Sequence, residues 1–338
     1  MPLPFSPPLA PMLARVQTDI PAGDGWRYEP KWDGFRAIVF RDGKDVHIES
    51  RSQKPLQRYF PELLPVLRSA LPRTCVVDGE IITPIEGRLE FDVLQQRIHP
   101  AASRVELLSR ETPATFVAFD LLAVAGRDLR PKPLSERWDR LLRALAEAPG
   151  DFDTILAPGP RIAVTPSTTD PAEAQRWLEE LERSGLDGII AKQEDLTYRP
   201  GERVMVKVKR QKTVDVVIGG YRIHKSGQGV GSLLLGLYDK HGALHHVGFV
   251  GAFPAKQRLE LLELLRPLEG GDGFGLGAGP GGPSRWRQEE REWIPLEPTL
   301  VAEVTYDHVT SNRIRHGSRL LRWRTDKQPR ECTLDQLR

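Results

Sequence analysis

Apolar and polar positions alternate over short, turn-punctuated stretches through much of the chain, with helical periodicity confined to a few segments. AIVFRDGKDVHIES alternates around Asp42-Gly43 and predicts a hairpin ending at Ser50-Arg51. QKPLQRYFPELLPVLRSAL predicts an aromatic-containing loop and then a short helix from about Pro61. TCVVDGEIITP is an apolar run bounded by Pro84 and interrupted by Asp78, Gly79 and Glu80. Acids inside a buried strand are costly unless paired or bound, so this run is either a hairpin turning at Asp78-Gly79 or a strand whose acids have a task. FDVLQQRIH predicts a helix capped by Asp92, and TFVAFDLLAVAGRDL a strand with a turn at Gly126. PLSERWDRLLRALAEAPG reads as an amphipathic helix closed at Gly150. TTDPAEAQRWLEELERSG reads as another, with Asp170 as cap, Pro171 at its first position and Gly185 at its end. LDGIIAK is an apolar strand with Asp187 and Lys192 at its two ends, and in RVMVKVKRQK the strand period puts Lys207 and Lys209 on one side.

Beyond Lys209 the pattern becomes almost wholly strand-like. VDVVIGGYRI, SLLLGLYD and ALHHVGFVG are short strands, PAKQRLELLELLRPL is a helix, and LVAEVTYDHV is a late strand. A five-stranded barrel with one helix is the OB-fold pattern. The glycine-rich run from Gly270 to Gly282 is expected to be a flexible loop within it, and His245 and His246 to be strand and loop residues. The fold class is therefore α+β, with domains over 1–210 and 211–338.

Composition narrows the class without naming a chemistry. The 338 residues are 39% apolar and 28% charged, ordinary globular material long enough for two domains. MPLPFSPPLAPMLARV is broken by prolines and lacks the long apolar run of a signal or a membrane span, so it reads as an extended arm over the first domain. Cys75 and Cys332 lie far apart with no CxxC partner, which implies neither a zinc site nor a disulfide framework and suits a reduced, cytoplasmic protein. The formal charge is only +2, but cations cluster at Arg203, Lys207, Lys209, Arg210 and Lys212, and again at Arg313, Arg315, Arg319, Arg322, Arg324, Lys327 and Arg330. Local clusters in a nearly neutral chain are what a polyphosphate-binding face would give.

The strongest chemical signal is the hexapeptide KWDGFR, Lys31 to Arg36, preceded by Glu29-Pro30. Proline stops a helix and Asp33-Gly34 turns the chain, so Lys31 and Asp33 are displayed at a strand edge beside a tight turn. K-x-D-G-x-R resembles the signature of the covalent nucleotidyltransferases, the superfamily of ATP-dependent DNA ligases, RNA ligases and capping enzymes. Asp78-Gly79-Glu80, Phe119-Asp120, Asp187-Gly188-Ile189-Ile190, the lysines 207 and 209, and RTDK at Arg324 to Lys327 follow in the family's order, so the likeness covers nearly the whole chain. It is most similar to the small bacterial ATP-dependent DNA ligases of the ligase-only C type. In two places the chain departs from the family's pattern: Asp187 stands where glutamate is usual and Met205 where tryptophan is usual.

The resemblance implies a nucleotidyltransferase domain of ATP-grasp-like antiparallel sheets with helices, followed by an OB-fold barrel, in a minimal enzyme with no domain before Lys31. It implies ATP as cofactor, with AMP carried covalently on Lys31, and Mg2+ or Mn2+. Lysine attacks only as the neutral amine; from a reference pKa of about 10.4, that form costs about 4 to 5 kcal/mol at neutral pH. By resemblance, Glu29 touches the adenine edge, Phe119 its face and Glu80 the ribose side. Arg36 and Arg51 hold phosphates, and Lys207 and Lys209 neutralise the α-phosphate. Asp33, Glu80 and Asp187 are the acids available to a metal, with Glu80 and Asp187 its expected ligands. Arg324 and Lys327 orient the departing pyrophosphate through closure of the second domain, and Arg51, Arg203, Arg319 and Arg322 contact nucleic acid. The expected partner is nicked double-stranded DNA met by a monomer in the nucleoid, with a primase-polymerase or other repair proteins as recruiters and no membrane. An RNA ligase or capping guanylyltransferase of the same superfamily, and a non-catalytic OB-type nucleic-acid binder, are the competing readings.

Overall fold

The computed structural model describes residues 2–99, 101–159, 161–180, 184–186, 188–209, 212–275, 277–280, 292–306, 309–310, 312–314 and 318–337. The chain divides into two compact units, Met1–Arg210 and Gln211–Arg338.

The first unit is built on two sheets. In one, the strands run in the order Leu13–Gln17, Arg203–Val208, Ile189–Gln193, Trp26–Pro30, the first pair parallel and the others antiparallel. In the other, the order is Ile162–Val164, Thr115–Val124, Thr74–Ile82, Phe35–Asp42, Asp45–Ser50. Ile38, Phe40, Val76 and Leu122 from the second sheet pack with Met205, Ala14 and Ile190 from the first. Leu3, Phe5, Leu9 and Met12 join that cluster, so the proline-broken N-terminal stretch does lie over the domain before it pairs as a strand. The far side of the second sheet is covered by the helices Leu63–Ala70 and Leu134–Ala144, through Leu63, Leu67, Trp138 and Leu141.

Several local expectations change. Thr74–Ile82 is one continuous strand through Asp78 and Gly79, not a hairpin, because both of its neighbours pair with it along its length. The helix Phe91–Gln96 starts after Glu90, which puts Asp92 in its first turn instead of at the cap. The helix Leu134–Ala144 stops at a C-cap on Leu145, short of Gly150. Asp170 does cap its helix, accepting from the Ala172 N–H at 2.8 Å, with Pro171 first in Pro171–Glu180.

The second unit carries an antiparallel sheet ordered Leu244–Gly251, Val230–Tyr238, Lys212–Ile223, Val301–Tyr306, Arg319–Trp323, with the short strand Ile294–Pro295 pairing beside Lys212–Ile223. Its core runs from Val214 to Leu337 and takes Leu261 and Leu265 from the helix Ala255–Leu265. The glycine-rich run is not simply a free loop. Phe274 within it is only 2% exposed, and its ring stands where a Cβ on Gly219 would lie, 2.7 Å away. Leu276 and positions 281–291 lie outside the described residues. His245 bonds Asp239 at 2.9 Å and His246 bonds Arg313 at 2.9 Å, both within a strand. Burial, with Arg313 and Arg222 nearby, holds His246 down to about 4.

Candidate active site

KWDGFR links the two sheets of the first unit. Pro30 ends its strand and Trp32 is buried at 5% exposure, its indole N–H donating to Thr165 Oγ1 at 2.9 Å, so Lys31 is held between two buried neighbours. The Lys31 N–H donates to the Gly188 carbonyl at 2.7 Å. Gly188 has φ +147, and a Cβ there would stand 2.2 Å from the Val208 carbonyl oxygen. Glycine in the DGII element is thus required by the close packing that fixes the Lys31 backbone.

Lys31 lines a cavity of about 1120 Å3, as do Glu29, Asp33, Arg36, Arg51, Glu80, Phe119, Arg203 and Lys207. Arg203, Met205 and Lys207 alternate along one strand toward it. Lys209 lies past the end of that strand and is not among the lining residues. Asp187 lies outside the described residues. Lys54, Arg58 and Lys192 also line the cavity, although no motif position marked them as site residues.

Arg36 and Glu80 face each other across the paired strands Phe35–Asp42 and Thr74–Ile82. Arg36 reaches diagonally to Asp78, donating from Nε at 2.6 Å and from a terminal nitrogen at 2.7 Å, while the Tyr198 hydroxyl donates to the same carboxylate at 2.7 Å. The Asp78 carboxylate raises the pKa of Arg36 against the opposing effect of burial. Its guanidinium also lies 4.3 Å from the centre of the Phe119 ring. The arginine expected to hold phosphates is therefore tied into the wall of the pocket beside the aromatic ring. Glu80 is pushed up to about 7, chiefly by burial and against the pull of Arg36 and Lys31.

Phe119 enters the cavity through a break in register. Asp78 pairs with Asp120 and Gly79 with Ala118, so Phe119 is the extra residue of a β-bulge, a device that re-aims a side chain. A Cβ on Gly79 would stand 2.5 Å from the Phe116 ring and from the Val117 carbonyl oxygen, so the middle residue of DGE is fixed by packing at this bulge. Asp120 takes no place in the cavity; it is buried and holds the buried Arg137 in a bidentate pair at 2.8 and 2.9 Å. Glu29, expected at a base edge, has both oxygens bonded by Lys192, at 2.8 and 2.7 Å.

In the second unit RTDK converges on Asp215, a residue no motif singled out. Arg324 donates to both Asp215 oxygens at 2.9 Å and to Asp326, and Lys327 donates to Asp215 at 2.8 Å. Arg322 is paired with Glu303 at 2.7 Å, and Arg319 is exposed on the same strand. Within the basic cluster Arg322, Arg324 and Lys327 are thus paired with acids, while Arg330 donates to the Gly242 carbonyl at 2.7 Å; Arg315 lies outside the described residues.

A lysine fixed in a nucleotide-sized cavity between two mostly antiparallel sheets, in a chain whose other unit is an OB-type barrel, defines the covalent nucleotidyltransferase class. Comparison with known proteins narrows this. The family model described as ATP dependent DNA ligase domain matches residues 7–209, and that described as ATP dependent DNA ligase C terminal region matches residues 226–327. The chain is 47% identical over 350 residues to DNA ligase C of Mycobacterium tuberculosis and 49% identical over 348 residues to DNA ligase C1 of Mycolicibacterium smegmatis, covering 100% of this chain and 96% of each relative. A solved structure of a Lig E DNA ligase, 18% identical, superposes with a TM-score of 0.56 over 93% of this chain and 99% of the other, a likeness of fold. The chain belongs to the ATP-dependent DNA ligases.

Proposed function

We propose that this enzyme seals nicks in double-stranded DNA by passing one adenylyl group from ATP to Lys31, then to a 5′-phosphate, and finally releasing it. The observation that carries the reading is Lys31 sharing one cavity with Phe119, Arg36 and Lys207. In the first step the neutral Lys31 amine attacks the α-phosphorus, the N–P bond forms, and the P–O bond to pyrophosphate breaks. The proton leaves the ammonium beforehand. Arg36, Arg51, Arg203 and Lys207 around the same cavity favour that loss, because nearby positive charge disfavours a second ammonium. In the second step a 5′-phosphate oxygen attacks the same phosphorus and Lys31 leaves. In the third the 3′-hydroxyl attacks the adenylylated 5′-phosphate, forming the phosphodiester and expelling AMP.

Positioning and charge neutralisation carry most of the rate in such transfers. Phe119 and Glu29 hold the base, Glu80 the ribose side, and Arg36 forms the wall against the ring. Arg51, with Lys54 and Arg58 on the same rim, takes the 5′-phosphate. Arg324 and Lys327, with Lys209, act on the phosphates when the domains close. Arg203, Arg319 and Arg322 follow the DNA backbone.

Magnesium or manganese suits the donor set. Hard cations at nucleotide sites take one or two carboxylates plus substrate phosphates, and Asp33 and Glu80 supply carboxylates in the cavity. Glu80, with Asp187 as its sequence partner, would hold the ion, which supplies charge neutralisation on the phosphates when bound.

The test is incubation with α-labelled ATP and metal without DNA, followed by denaturing electrophoresis of wild type and Lys31→Ala. Label on wild type alone is expected, with sealing of an all-DNA nick. Label from GTP alone would place the chain with the capping enzymes. No label on protein freed of prior AMP would overturn the reading.

A further inference from the structure

Arg97 follows the helix Phe91–Gln96 as its C-cap, is fully buried, and has no part in the transfer as described so far. One terminal nitrogen donates to Glu62 at 2.7 Å and to the Thr112 carbonyl at 3.1 Å. The other donates to Glu62 at 2.9 Å and to the Tyr59 carbonyl at 2.8 Å. The guanidinium also lies 4.9 Å from the centre of the Phe60 ring. Its terminal N–H groups are thus all engaged, and Nε finds no partner among the described residues. An apolar side chain would fill this space without the cost of burying a charge, so what is particular to arginine here is the directed fork of its bonds.

That fork ends on a turn that borders the cavity. Gln57–Tyr59 is a single 3-10 turn with no side-chain cap bond, too short to hold its own shape. On its N-terminal side the Leu56 N–H donates to the Ile48 carbonyl at 2.8 Å, and the Gln57 amide accepts from the Ile48 N–H and meets the His47 ring, each at 3.4 Å. On its C-terminal side Arg97 binds the Tyr59 carbonyl and fixes Glu62. The turn carries Arg58, which is exposed, lies 4.8 Å from the centre of the Tyr59 ring and lines the cavity as Tyr59 does. Next to Arg97 itself, Ile98 lines the same cavity at 43% exposure. One buried guanidinium therefore sets the spacing of two elements that border the cavity.

We propose that Arg97 is a positioning residue for the second step, holding the Gln57–Tyr59 turn so that Arg58 meets the 5′-phosphate of a nick within reach of the adenylylated Lys31. This rests on the reading that the rim of Arg51, Lys54 and Arg58 receives that phosphate. In the step a 5′-phosphate oxygen bonds to the α-phosphorus as the Lys31 N–P bond breaks, and the departing amine regains a proton from solvent. Two phosphate anions must approach each other, so the cations beside them need fixed places, and a displacement of about 1 Å costs on the order of a hundredfold. Loading of Lys31 from ATP involves no 5′-phosphate and depends less on this turn.

The experiment separates the steps. Lys31 labelling by α-labelled ATP is timed without DNA, and transfer is timed by mixing adenylylated enzyme with a nicked duplex and following the adenylylated strand in a single turnover. Arg97→Met is expected to slow transfer on the order of tenfold to a hundredfold more than labelling. Arg97→Lys, which keeps the charge but not the fork, is expected to recover only part of it. Should Arg97→Met not fold, Arg97→Met combined with Glu62→Gln strands no charge and still leaves the Tyr59 carbonyl without its donor, so the same selective loss is expected. Equal losses in the two steps would mark Arg97 as mere scaffold and overturn the proposal. Arg58→Ala serves as the reference for the rim. Transfer slowed by Arg58→Ala but not by the Arg97 variants would overturn the proposal alone, whereas transfer unchanged in Arg58→Ala would strike the rim reading and the proposal with it.

Discussion

Asparagine in place of Asp78 removes one negative charge from the centre of a sheet and keeps the shape. The carboxylate is fully buried and accepts two bonds from Arg36, at 2.6 and 2.7 Å, and one from Tyr198 at 2.7 Å. An amide has one oxygen for these donors and turns its NH2 toward another donor. Arg36, whose side chain is 19% exposed, is then left with an uncompensated charge. Breaking a buried pair from one side costs about 3 to 5 kcal/mol, a large part of an ordinary stability of about 5 to 15 kcal/mol. Tyr198→Phe removes one bond to the same charge and should cost about 1.5 to 3 kcal/mol. Scanning calorimetry and urea unfolding followed by circular dichroism give both values. Asp78→Asn combined with Arg36→Met should recover much of the loss, because no charge is then stranded. Arg36 also lies over Phe119, so the single variant should weaken nucleotide binding as well as stability. An Asp78→Asn cost below about 1 kcal/mol would refute the view that this carboxylate holds the pocket wall.

Other expectations follow from the same geometry. Glu80 carries a proton in the folded protein that the unfolded chain releases between its ordinary value of 4.5 and about 7. Stability from this group is present below 4.5 and falls as pH rises through that window; thermal melts of Glu80→Gln should lack that component of the decline. Asp215→Asn, which frees Arg324 and Lys327 from their shared partner, should slow Lys31 labelling on the order of tenfold to a hundredfold by misplacing cations. It should spare sealing of a pre-adenylylated nick, and equal losses in both assays would count against a first-step role. DNA binding should weaken with salt, and Arg319→Ala should reduce the slope by about one. Arg322→Ala should change it less, because Arg322 is already paired with Glu303; filter binding across a salt series checks the order.

Much of the site was legible because the chemistry demands residue types at fixed places. A lysine, an acid and a turn glycine in KWDGFR, the acids of DGE and the alternation of Arg203, Met205 and Lys207 are short-range signals. The structure brings most of their side chains to one cavity. Lys209 and the helix ends at Asp92 and Gly150 were read less well, since strand and helix limits depend on packing as much as on local preference.

The sequence by itself indicated most of the strands, several of the helices, the division into two units at about residue 210, and the lysine and acids that line the cavity. Tertiary structure alone decided how those groups are held. Alternation says nothing of the bulge that aims Phe119, because an extra residue shows only when a partner strand is in register. Lys192 finds Glu29 across 163 residues of chain, Asp215 gathers Arg324 across 109, and Phe274 comes out of a glycine-rich run to meet Gly219. Buried charge must find its counter-charge and a glycine gap must be filled, and only the folded chain chooses which distant residue does so.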